Sequence, residues 1–160
     1  MLDVRGLNRI ALALAVAVFA SLGAWWWHDR TRGYETPRWD PARFVRIAAP
    51  VAVAADQPRW IVAVNPACPH CGARLAQLSR RRAAQAHGAT LGVLYVDCPR
   101  LPGAPDSTLR LDAGAWWDSA GTWRSAWGHR AYGETLEFDA RGALRRVIPP
   151  SADPMDPALR

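Results

Sequence analysis

The chain has 160 residues, 50% of them hydrophobic, and a formal net charge of +6. That length accommodates one domain of ordinary size plus a tether. All 20 basic residues are arginines, scattered rather than gathered into a stripe, which argues against a nucleic-acid surface.

Residues 1–9 form a short polar tail carrying Arg5 and Arg9. Residues 10–27, Ile10 to Trp27, are an uncharged apolar run. Counted from Leu7, the run approaches the ~20 residues a helix needs to cross a bilayer. Trp25, Trp26 and Trp27 sit where an interfacial aromatic belt would lie. A retained anchor is the expectation, with a cleaved signal peptide ending at Val18-Phe-Ala20 as the alternative. Arg5 and Arg9 precede the span, whereas Arg30, Arg32, Arg38, Arg43 and Arg46 follow it. Counted simply, these charges would keep the following chain in the cytoplasm, although long domains often translocate regardless.

Gly33, Pro37 and Pro41 mark residues 28–42 as a linker. Phe44–Ile47 reads as a first edge strand, and Val51–Ala55 as a short apolar stretch before the turn at Asp56-Gln-Pro58.

The most informative stretch is Trp60-Ile-Val-Ala-Val-Asn-Pro-Ala-Cys68-Pro-His-Cys71. Ile61–Val64 has the composition of a strand covered on both faces. Asn65-Pro66 breaks the run, and Pro69 suits the first turn of a helix expected over 69–87, with Gly88 as its stop. Cys68 at the helix N-terminus would have its thiolate favoured by unpaired N–H groups and the dipole. Cys71, about one turn on, can close a small disulfide ring with Cys68. His70 would add positive charge or a hydrogen bond to that thiolate. A second apolar strand, Thr90–Val96, completes a βαβ unit whose strands should be parallel. Cys98, just beyond it, should therefore approach the Cys68 edge as a third thiol; a buried apolar cysteine is its plainer reading.

Further on, 97–105 is a Pro-rich loop, Gly114–Asp118 a short strand and turn, and Thr122–Trp127 a helical turn. Glu134–Phe138 and Ala143–Ile148 are strands joined by the turn Asp139-Ala-Arg-Gly142. Trp116, Trp117, Trp123 and Trp127 are expected in core and rim. His87 is expected at a helix end, His129 exposed, and Arg80–Arg82 on a solvated helix face. Residues 149–160, with Pro149, Pro150, Pro154 and Pro157, are expected to be a flexible tail.

The strand, Cys68-Pro69-His70-Cys71 and the helix behind them resemble the thioredoxin-like disulfide oxidoreductases. Asp118-Ser-Ala-Gly121, Trp127-Gly128 and Asp139-Ala-Arg-Gly142 extend the resemblance to the membrane-tethered TlpA-like group, over residues 43–148. The resemblance implies an α/β thioredoxin-like fold, a central mixed sheet flanked by helices, preceded by one N-terminal transmembrane helix. It implies catalysis by Cys68 and Cys71, modulation by Pro69 and His70, protein thiols or disulfides as partners, and no cofactor or metal beyond the Cys68–Cys71 disulfide. It also implies a single-pass protein of a bacterial inner membrane with its domain in the periplasm. The family's cis-proline position, on the substrate loop, falls at Gly133 in Tyr132-Gly133-Glu134. The family's buried acid ahead of the first cysteine has no counterpart in 60–67. Two alternatives use the same residues: a metal-binding module employing the cysteines for zinc or copper(I), and a non-catalytic thioredoxin-like subunit of an envelope complex.

Overall fold

The computed structural model describes residues 4–31, 33–51, 57–83 and 89–152. These fall into two compact units divided between Gly33 and Tyr34. The expectations for Val51–Ala55 (beyond Val51), for the helix end at 84–88 with His87 and Gly88, and for the tail beyond Ala152 lie outside the described residues.

The first unit is one helix, α1, Val4–Thr31. At 1.5 Å per residue its 28 residues extend about 42 Å. Ile10–Asp29 has a mean hydropathy of 1.9, and none of it is buried against protein. Ile10, Leu12, Leu14, Val16, Phe19, Leu22 and the three tryptophans all stand exposed. This helix is long and apolar enough to be a membrane span or a signal sequence.

The second unit is a six-stranded sheet in the order β1-β4-β3-β2-β5-β6. Its strands are β1 (Val45–Ala48), β2 (Arg59–Val64), β3 (Thr90–Tyr95), β4 (Gly114–Trp117), β5 (Thr135–Phe138) and β6 (Leu144–Ile148). The expected βαβ unit is present: β2 and β3 are parallel, Arg59 opposite Thr90 through Val64 opposite Tyr95. β4 runs parallel to β3, and β1 closes that edge antiparallel to β4. On the other side β5 and β6 form an antiparallel hairpin against β2. A central mixed sheet, a strand–helix–strand half and a hairpin half make a thioredoxin-like fold.

Alternation along the strands builds two cores. Trp60, Val62, Val64, Leu91 and Val93 face Cys71, Leu75 and Leu78 of helix α2, Cys71–Ala83. Ile61, Ala63, Leu94, Val96, Leu136 and Phe138 face the opposite way, under Trp39, Phe44, Trp116, Trp123 and Trp127. The chain crosses from β3 to β4 without a described helix. Instead Leu109 and Leu111 pack beside α2, and the Arg110 N–H donates to Ser79 Oγ at 2.8 Å.

Three expectations are corrected. Residues 34–42 are part of the domain and not linker. The Glu35 N–H donates to Ala126 O at 2.9 Å, Arg38 bridges to Ala143, and a 3₁₀ turn spans Pro41–Arg43. Trp39 is 8% exposed, stacked on Phe44 at 5.1 Å. The proline signals there mark irregular backbone that still buries a large side chain. Arg82 does not belong to a solvated face: its guanidinium donates to Ala89 O and pairs with Asp112. Finally, Pro149–Ala152, though largely exposed, is an ordered turn hydrogen-bonded to Arg74, as described below.

Trp39 separates the two domain boundaries experimentally. Trp39→Ala should cost about 3–5 kcal/mol in urea unfolding, as for a buried aromatic. A tryptophan in a linker would change stability by only about 0.5 kcal/mol.

Candidate functional site

The site begins where β2 ends. Asn65 terminates the strand and its side chain bonds in both directions. Nδ2 donates to Val96 O at 3.0 Å and to Asp97 O at 3.2 Å, while Oδ1 accepts the Ala67 N–H at 2.8 Å. The Cys68 N–H donates to Asn65 O at 2.9 Å, and the Cys71 N–H to Cys68 O at 3.3 Å. One amide thus ties the Cys68 turn to the end of β3. Cys68 and Cys71 form a disulfide with their Cα atoms 5.5 Å apart. Helix α2 opens at Cys71 itself. Pro69 and His70 therefore lie in the turn before the helix, and Cys68 precedes it by three residues. This corrects the expectation of a helix starting at Pro69.

The two sulfurs differ in access. Cys71 is 3% exposed, packed with Val64, Leu75 and Leu78, whereas Cys68 is partly exposed. His70 is exposed. A cavity of about 670 Å³ opens beside Cys68, lined by Asn65, Pro66, Pro69, Cys98, Arg100 and Tyr132 among others. A second, of about 360 Å³, lies on the helix side against Leu75, Tyr95 and Leu109. The structure thus brings Cys98 to the same cavity as Cys68. The Cys98 thiol donates to Val96 O at 3.3 Å, and Trp117 Nε1 donates to Cys98 O at 3.2 Å. Burial pushes the Cys98 thiol pKa up, and the neighbouring Asp97 charge adds to the rise.

Asp97 holds the turn into Cys98. Its backbone is left-handed, φ +53°, an uncommon conformation without glycine. Oδ2 accepts from Arg124 Nε at 2.8 Å, from Arg124 Nη2, and from the Tyr132 hydroxyl at 2.8 Å. The hydrogen bond from Arg124 is the main reason that the Asp97 carboxyl lies below the usual carboxylate range.

Tyr132, Gly133 and Glu134 lie across from the disulfide. The Gly133 N–H donates to Ala63 O at 2.6 Å, and the Ala63 N–H to Glu134 O at 3.0 Å, which pins this loop to β2. Gly133 adopts φ +85°, which a proline ring, locked near −65°, cannot reach. A Cβ at this position would lie 4.0 Å from Cys71 Sγ.

Glu134 is a buried acid that the sequence reading did not find, because its position in a strand-like run gives no sign of burial. Its Oε1 accepts from Trp123 Nε1 at 2.6 Å and lies 3.0 Å from His129 Nδ1. His129 is accordingly not exposed: its side chain is 13% accessible, stacked on Trp123 and edge-on to Trp127. A second buried acid, Asp118, accepts the Thr122 and Trp123 N–H groups at 2.8 and 2.7 Å, starting helix α3, Thr122–Ser125. Among the described residues no group of three or more His, Cys, Asp or Glu side chains is arranged to hold a metal ion.

No protein family's sequence profile matches the chain, and no curated protein does. Similar solved structures include the reduced N-terminal domain of PilB from N. meningitidis, 18% identical, covering 63% of this chain and 76% of that one, with a TM-score of 0.45. A thioredoxin-like protein from Parabacteroides distasonis is 11% identical, covering 73% and 91%, with a TM-score of 0.44. A conserved protein of unknown function from Bacteroides fragilis is 16% identical, covering 56% and 70%, with a TM-score of 0.39.

The Asp97 network has a pH signature. Because its native pKa is lowered, its contribution to stability is complete above the unfolded value of about 3.9 and is lost as pH falls through the native value. Urea midpoints should therefore fall on acidification below about pH 4, and Asp97→Asn should flatten that part of the profile.

Proposed function

We propose that the chain is a thiol–disulfide oxidoreductase held to a membrane by α1 and acting on cysteines of envelope proteins. The observation that carries this reading is the asymmetric disulfide: Cys68 partly exposed beside an open, largely apolar cavity, Cys71 buried behind it. Disulfide exchange requires a thiolate to reach one sulfur while the other leaves. In the oxidising direction, a substrate thiolate attacks Cys68 Sγ, the S–S bond breaks, and Cys71 departs as a thiolate that takes up a proton. A second substrate thiolate attacks the substrate sulfur of the mixed disulfide and releases Cys68. The substrate then holds a disulfide, and the two electrons reside on Cys68 and Cys71. The reducing direction is the reverse, with Cys68 as nucleophile and Cys71 resolving.

The start of α2 at Cys71 supports charge stabilisation there, since unpaired N–H groups and the dipole favour an anionic sulfur. Pro69 and His70 modulate the turn between the sulfurs, and Tyr132, Gly133 and Glu134 form the loop opposite them. Cys98 acts as a third thiol, within the cavity that admits the substrate and protonated at neutral pH in the absence of an activating partner. On this reading the chain is tethered as in the TlpA-like group that it resembles, with its domain on the periplasmic side of a bacterial inner membrane. The carboxyl-side arginines oppose this orientation, but a domain of this length commonly translocates despite them.

The reading is tested on the full-length chain in detergent, equilibrated with glutathione redox buffers. Cys68 and Cys71 should titrate as one two-electron couple between about −270 mV, as for a reductant, and about −120 mV, as for an oxidant. Cys68→Ser should abolish exchange with a protein disulfide. A pair that fails to equilibrate, or a Cys68→Ser chain that exchanges at the parent rate, overturns it.

A further inference from the structure

The chain beyond β6 does not leave the domain at once. Ile148 is 2% exposed and paired with Thr135, so the segment that follows starts at the Gly133 loop. Pro149–Ala152 makes a turn in which the Ala152 N–H donates to Pro149 O at 3.0 Å. Arg74, one helical turn beyond Cys71, donates from Nη2 to Ala152 O. The far end of the turn is thereby fastened to the helix that carries the inner sulfur. The Arg74 Nε is buried here without a hydrogen-bond partner, and burial lowers the pKa of the guanidinium.

Between these two fastenings lies Pro150. From the Cβ point of Gly133, the Pro150 ring is reached at 3.5 Å and 3.8 Å, and Cys71 Sγ at 4.0 Å. The ring and the sulfur therefore border the same small space, which the missing side chain of Gly133 leaves open. Pro150 is exposed overall, yet its ring stands within van der Waals reach of that space.

We infer that Pro149–Ala152 is a strap, fastened by Arg74, that screens Cys71 from solvent thiols and electrophiles. Cys68 is left as the sulfur open to attack. The strap makes the outer sulfur the point of mixed-disulfide formation and keeps the inner thiolate from side reactions while the substrate is attached. It rests on the redox reading for this consequence alone, because shielding of a thiol is measurable whether or not the pair exchanges.

The experiment measures iodoacetamide alkylation of the reduced full-length chain in two single-thiol backgrounds. Cys68→Ser with Cys98→Ser leaves Cys71, and Cys71→Ser with Cys98→Ser leaves Cys68. Pro150→Gly removes the ring, and Arg74→Gln loosens the fastening. Each should speed labelling of Cys71 about threefold or more, as removal of a burial penalty on a thiolate would, and leave labelling of Cys68 unchanged. Unchanged Cys71 labelling in both variants overturns the strap, as does equal acceleration of Cys68, which would report general loosening. Failure of the glutathione titration with a positive labelling result would sink the redox reading and leave the strap standing.

Discussion

The site depends on one constraint: two parallel strands that stop at the same level. Val64 and Tyr95 are the last partners of β2 and β3, so both chains emerge side by side at one edge of the sheet. Asn65 converts this coincidence into a fixed distance, with its side-chain amide donating to the Val96 and Asp97 carbonyls just past β3 and its side-chain oxygen accepting the Ala67 N–H in the turn that carries Cys68. Each bond is worth on the order of 1 kcal/mol, but together they remove the freedom of two loops at once. The larger cavity lies between these two loops, lined by Asn65–Pro69 on one side and Asp97–Arg100 on the other.

A second set of polar groups fixes the far wall. Asp97, in a left-handed backbone, is held by Arg124 from α3 and by Tyr132 from the loop opposite the disulfide. Glu134, two residues past Tyr132, is held by Trp123 from the same helix and lies against His129. Helix α3 has only four residues and would not persist alone. It persists because the Asp118 carboxylate caps it and because Trp123 is fully buried. A single short helix therefore positions both the turn into Cys98 and the loop that faces Cys71.

The parts of this arrangement legible in the sequence were those with a local signature. The β-branched run at 61–64, the Asn-Pro break, the Cys-x-x-Cys spacing and the Asp139–Gly142 turn each carry their own geometry. The parallel pairing followed from strand, helix and strand with short joints, and Cys98's approach to the Cys68 edge followed from the pairing. What stayed hidden is what burial decides. Trp39 lies among prolines that signal irregular chain, and nothing local shows that its ring fills the space over Phe138. Glu134 and His129 are ordinary surface residues by type, and their burial arises from a tryptophan eleven residues before Glu134. Pro150 stands in a proline-rich end that composition alone assigns to flexible chain, and only the hydrogen bond from Arg74 reveals otherwise.

Gly133 shows how these hidden contacts bear on the chemistry. A resemblance read by position finds glycine where a proline is expected and concludes that something is missing. The backbone there is left-handed and pinned by hydrogen bonds between 63 and 133–134, so the loop takes a shape that proline could not adopt. Glycine is thus required by the conformation, and its lack of a side chain leaves a gap next to the inner sulfur. A ring from a different part of the chain borders that gap. Access to a disulfide is set by every surface around it, so the inequality between Cys68 and Cys71 comes from three segments far apart in sequence: the helix start, the Gly133 loop and the end of β6.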